Sequence, residues 1–138
     1  MPSPVLFYAP RLVAATLITT ALAGCLSLDS KPDTCSTEVL APTTQVLSPA
    51  TGQVGTPVTV RYTLQIINGC GEFKSLSEQR SGNHIYLSPV VAYQGCVCPE
   101  VVSSYEGSYP FTATQPGTYI FHFPSATPTP LTDTLVVQ

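Results

Sequence analysis

The chain has 138 residues, room for one ordinary domain plus an appendage and not for two full domains. Charged side chains make up only 9%, and five Lys+Arg against eight Asp+Glu give a net charge of −3 with no charged block, which excludes the basic stripe a nucleic-acid binder sets against phosphates. Polarity comes instead from 31 Ser and Thr, punctuated by 14 Pro and 9 Gly, a composition poorly suited to long helices.

The first 24 residues read as an address. Arg11 is the sole charge before residue 29, and the apolar run Leu12 to Gly24 is 13 residues long. Crossing a hydrocarbon core takes about 20 residues, so the run is too short for a transmembrane helix. A positive flank, an apolar stretch of this length and small residues at its end are the layout of a secretory signal. The segment closes on Leu22-Ala23-Gly24-Cys25. This resembles the lipobox of bacterial lipoproteins, and the resemblance implies diacylglycerol on the Cys25 sulfur, cleavage before it and acylation of its amine. More than one acyl chain gives stable anchoring where one alone binds marginally. The expected mature protein, 25–138, has 114 residues, with four basic and eight acidic side chains. Residues 25–42 follow as a tether, rich in Ser, Asp, Pro and Thr and without periodicity.

From 43 to 138 the pattern predicts short strands. Gln45 to Ser48 is the first candidate, and Pro49 to Thr56 carries turn residues. Across Pro57 to Ile67, Val58, Val60, Tyr62, Leu64 and Ile66 alternate with Thr59, Arg61, Thr63 and Gln65, which predicts a strand with one buried face. Phe73 to Arg80 and Asn83 to Gln94 form a hairpin about Ser81-Gly82-Asn83, with Ile85, Leu87, Val91 and Tyr93 on one face; the first arm alternates poorly and is bulged or partly helical. Tyr109 to Ala113 leads through Pro116-Gly117 into Thr118 to Phe123, where Tyr119, Phe121 and Phe123 share a face, and Thr132 to Gln138 closes the chain.

Six or seven strands at spacings of about 8–12 residues, with no helix, predict an all-β fold: an immunoglobulin-like antiparallel β-sandwich behind a lipoprotein signal peptide. Gly117-Thr118-Tyr119 resembles the tyrosine-corner strand of immunoglobulin and fibronectin-type domains, although the chain has no Trp. Asn68-Gly69-Cys70-Gly71-Glu72-Phe73 with Gln94-Gly95-Cys96-Val97-Cys98 is also similar to short bacterial lipoproteins, a resemblance that brings no activity with it.

With Cys25 assigned to lipid, Cys35, Cys70, Cys96 and Cys98 remain, and four cysteines in an exported chain suggest two disulfides. Cys96 and Cys98 are too close in sequence to bridge each other without strain. If Ser81 faces His84 across the turn, Cys70 falls opposite Gly95, beside Cys96; this favours Cys70–Cys96 with Cys35–Cys98, and leaves Cys70–Cys98 with Cys35–Cys96 as the alternative. A sharper reading takes Cys96 and Cys98 as thiolates for copper or zinc, or as a redox pair.

Catalysis has little footing. His122 falls on the outward phase of its strand, His84 follows a turn, and no nucleophile motif accompanies either. Glu72, Glu78, Glu100 and Glu106 are loop or edge candidates with nothing to place two of them together. Among Tyr86, Tyr93, Tyr105 and Tyr109, Tyr86 is out of phase with the buried face and is the candidate ligand-binding residue; a Tyr105-rich loop is the second place for a glycan or protein to stack. The expectation is a non-catalytic structural or binding module without cofactor, held to a membrane of the cell envelope by its lipid (the outer membrane in a Gram-negative cell), with a protein or glycan partner and no nucleic acid.

Overall fold

The computed structural model describes residues 35–138. Cys25, the expected leader 1–24 and the expected tether up to residue 34 lie outside the described residues. Nine strands follow in order: β1 (Ser36–Leu40), β2 (Thr43–Leu47), β3 (Thr51–Gly52), β4 (Val58–Ile66), β5 (Gly71–Ser81), β6 (His84–Gln94), β7 (Ser103–Phe111), β8 (Gly117–Phe123) and β9 (Leu131–Val137). Among the described residues there is no helix, hence none long and apolar enough to cross a membrane.

The strands form two sheets. One runs β1-β6-β8-β9-β3 with β5 also paired to β6; the other runs β2-β4-β7. The architecture is the expected β-sandwich, with one difference in pairing: β3 with β9 and β6 with β8 are parallel, the rest antiparallel. Because β5 occupies one edge of β6 from His84 to Tyr93, β8 and β1 share the other edge, β8 against 84–86 and β1 against 90–94. Pro89 sits at the gap between them. A strand residue presents its N–H and C=O to the same edge, and Pro89 C=O accepts from Ala41 N (2.9 Å), so the donor proline lacks falls just beyond the last pair of the β1–β6 ladder, Leu40↔Val90.

The alternations do what they predict. Val60, Tyr62, Leu64 and Ile66 of β4 meet Ile85, Leu87 and Val91 of β6, Phe121 and Phe123 of β8, and Leu135 and Val137 of β9 in one buried core. The hairpin turns at Gly82, whose φ of 60° suits the first position of a two-residue loop, with Ser81 paired to His84 as expected. The β5 arm is bulged, not helical: the register shifts between Phe73 and Ser75.

Two expectations are corrected. The tether does not run to residue 42, because β1 pairs with β6 from Ser36↔Gln94 to Leu40↔Val90 and brings 36–40 into the fold. All five β1 residues are exposed, so no buried face imprints an alternation on its sequence. The Tyr105-rich segment is not a loop but the first half of β7. Gly107 and Pro110 hide it in the sequence. Gly107 is required because a Cβ there would collide with the Tyr62 ring lying over it, and Pro110 is tolerated because β7 is an edge strand.

Candidate functional site

The four described cysteines gather where β6 ends. Cys35 lies just ahead of β1 on one edge of β6, and its C=O accepts from Gly95 N (2.8 Å); Cys70 lies just ahead of β5 on the other edge, and its C=O accepts from Gln94 N (3.1 Å). Gly95, at a φ of 140°, turns the chain out of the strand, and Cys96 and Cys98 then diverge to the two edges. The bridges are Cys35–Cys96 (Cα–Cα 4.9 Å) and Cys70–Cys98 (5.4 Å), which corrects the favoured pairing Cys70–Cys96 with Cys35–Cys98. The reason is twofold: the bulge at Lys74 moves Cys70 one residue along β6, from Gly95 to Gln94, and the unforeseen β1 delivers Cys35 directly beside Cys96. With each sulfur bonded to a different partner, Cys96 and Cys98 offer no paired thiolates to copper, zinc or a redox substrate. Among the described residues no three His, Cys, Asp or Glu side chains are placed to share a metal ion.

Tyr86 stands on the outer face of the large sheet, 42% exposed. Its ring stacks on His122 at 4.6 Å between centroids and 13° between planes. His84 Nδ1 and His122 Nε2 are 2.8 Å apart, and the 5.1 Å centroid separation with a 21° interplanar angle is that of two imidazoles meeting edge to edge through one shared proton. Burial, then the neighbouring His84, pushes the His122 pKa below its ordinary value. His84 is exposed as expected, while His122, on the outward phase of β8 as expected, is half-buried. Their meeting is not expected: they are 38 residues apart and join only through the parallel register that sets Tyr86 beside His122.

The remaining tyrosines turn inward. Tyr93 and Tyr109 are buried, and Tyr105 is half-buried with its ring stacked on Phe73 at 4.4 Å. Tyr109 Oη donates to Glu78 Oε2 (2.6 Å) and accepts from Arg80 Nη2 (3.3 Å), while the Arg80 guanidinium lies 5.2 Å above the Phe111 ring and pairs with Glu78. Burial and the Glu78 bond raise the Tyr109 pKa to about 12, and Arg80 holds the Glu78 carboxyl below its usual range. This cluster closes the interior between β5 and β7; its groups satisfy one another.

Of the other carboxylates, Glu72 faces outward on β5 and Glu106 outward on β7 in the other sheet. Glu38 is a further carboxylate, one that no motif in the sequence singles out. Glu38 of β1 and Glu72 of β5 register against the same residue, Ala92 of β6, and so wall a cleft floored by that small side chain. Lys74 pairs with Glu38 there. Residues 58–129 match the family model described as the ORF11 beta-sandwich domain, just over half of the chain. Nothing among curated proteins or solved structures matches it. By that match, which spans more than half of its length, the chain belongs to the ORF11 beta-sandwich domain family.

Proposed function

We propose that this is a lipid-anchored protein of the bacterial cell envelope whose β-sandwich has a structural or binding role and no catalytic one. The observation that carries the reading is the Cys35–Cys96 bridge, which ties the chain to the fold ten residues after the lipobox cysteine. A tether pulled from a membrane would load an edge strand with no buried face, and a covalent clamp just ahead of that strand keeps it from peeling. Two disulfides also suit an exported protein rather than a cytoplasmic one.

The test is Cys25→Ser in cells labelled with radioactive palmitate. The parent protein takes up label and fractionates with membranes, and the variant does neither. Label entering the variant would refute lipidation at this cysteine. A binding role for the sheet face rests on Tyr86, whose exposed ring is held flat by His122; capture of an envelope glycan or protein that Tyr86→Ala abolishes supports it, and capture unchanged by that substitution removes it.

A further inference from the structure

The cysteine end carries the most concentrated exposed apolar surface among the described residues. Val97 is 92% exposed, Val102 63%, Val101 57% and Ile67 56%. They are neighbours. Val97 sits between the two bridged cysteines, and Pro99 C=O accepts from both Gly69 N (2.9 Å) and Val101 N (2.8 Å). The β4–β7 ladder ends at Ile66↔Ser103, so Ile67 leaves β4 and Val102 enters β7 at the same end of that strand pair. Next to them an apolar groove of about 380 Å³ opens between β1 and the end of β4, lined by Val39, Ile67, Tyr93 and Cys98. The side chains are presented on a braced loop, since both disulfides and the Pro99 bonds hold the backbone beneath them.

Such a patch marks an interaction site. Its chemistry and position select the occupant. Between residues 95 and 104 the only charged side chain is Glu100, so nothing there recruits a phosphate or an acidic partner. The chain emerging toward Cys25 leaves the fold at Cys35, which is bonded to Cys96 in this same patch. Ten residues reach at most about 35 Å when extended, so a lipid on Cys25 holds this end within that distance of a bilayer.

We infer that the cysteine end faces the membrane, with Val97, Val101, Val102 and Ile67 pressed into the interface of the bilayer that holds the Cys25 lipid. This rests on the proposed lipidation and adds an orientation: the Tyr86 face and the hairpin end are held away from the lipid, free for a partner.

The chain has no Trp, so Val97→Trp and Val54→Trp each install a single tryptophan that can be excited apart from the seven tyrosines. Val54 is 42% exposed at the other end of the sandwich, where its N–H bonds to Gln138 C=O. Each lipidated full-length variant is reconstituted into phosphatidylcholine vesicles, floated on a density gradient, and its emission compared with and without brominated acyl chains. The expected result is flotation of both variants, with V97W blue-shifted and quenched at least twofold and V54W unaffected. Flotation with V97W no more quenched than V54W overturns the docking surface while leaving lipidation standing. Failure to float removes lipidation and the docking surface together. A V97W blue shift that grows with protein concentration in detergent alone assigns the patch to a second copy of the chain and overturns the inference.

Discussion

The two ends of β6 are held by different means. At the His84 end the interior is filled by rings: Phe111 meets Phe121 edge to face at 5.2 Å and Tyr119 at 5.0 Å, and Arg80, Glu78 and Tyr109 close the margin with mutually satisfied hydrogen bonds. At the Gln94 end the sheets offer Val39, Ile67 and Tyr93, part of that surface stays open, and two disulfides flank the strand. Burial stabilises in proportion to the apolar area removed from water. Where the chain has large apolar side chains to bury it uses them, and where it leaves aliphatic surface outside it relies on cross-links.

The largest predicted effect breaks the packed end. Phe121 is fully buried, and Phe121→Ala should cost about 3–5 kcal/mol in urea unfolding, a large share of a small domain's stability. A loss under 1 kcal/mol would show that the rings do not carry that end.

Next comes the cross-linked end. Replacing Cys35 and Cys96 together by Ser removes a bridge spanning 61 residues and should cost up to about 4 kcal/mol on chain-entropy reasoning, slightly more than removing Cys70–Cys98, which spans 28. Hydrogen exchange should accelerate first in β1. Uniform acceleration across all strands would mean the clamp is not local.

A smaller effect sharpens the comparison through pH. Tyr109→Phe removes the hydroxyl that Glu78 and Arg80 share, for about 1–2 kcal/mol. Arg80 depresses the folded Glu78 pKa, so this stabilisation is complete above the ordinary carboxylate value and is lost as pH falls through the folded one. Glu78→Gln should therefore flatten the acid limb of the stability profile, and an unchanged limb would contradict the assignment.

The smallest effect is at the histidines. His122 is depressed by burial and by His84, so the fold prefers it neutral; its contribution is present above the ordinary histidine value and lost as pH falls below it. In an NMR titration His84→Gln should move the His122 midpoint upward, with stability changed by no more than about 0.5 kcal/mol. A midpoint that stays put would mean the pair is not coupled.

Much of the fold is legible in the sequence where burial writes a period. In β4 and β8 every second residue enters the core, and both strands fall within a residue or two of their expected limits. The β5–β6 hairpin keeps its expected register from Ser81↔His84 to Ser75↔Val90 and loses it at a single bulge. That one residue, together with β1 on the other edge, reassigns the disulfides. Strand β1 leaves no trace because it buries nothing, and the His84–His122 contact leaves none because a parallel pairing between distant strands has no local signature. The cysteine end illustrates the limit well: the residue types are readable, while the partner of each is decided by which edge of β6 its strand occupies.

The intact mass of protein extracted from native membranes tests the central claim most directly, since it reports lipid and cross-links in one number. The account predicts the chain from Cys25 to Gln138, heavier by its acyl groups and lighter by the four hydrogens lost to two disulfides. A mass equal to the unmodified chain from Met1, with all five cysteines as thiols, would contradict it.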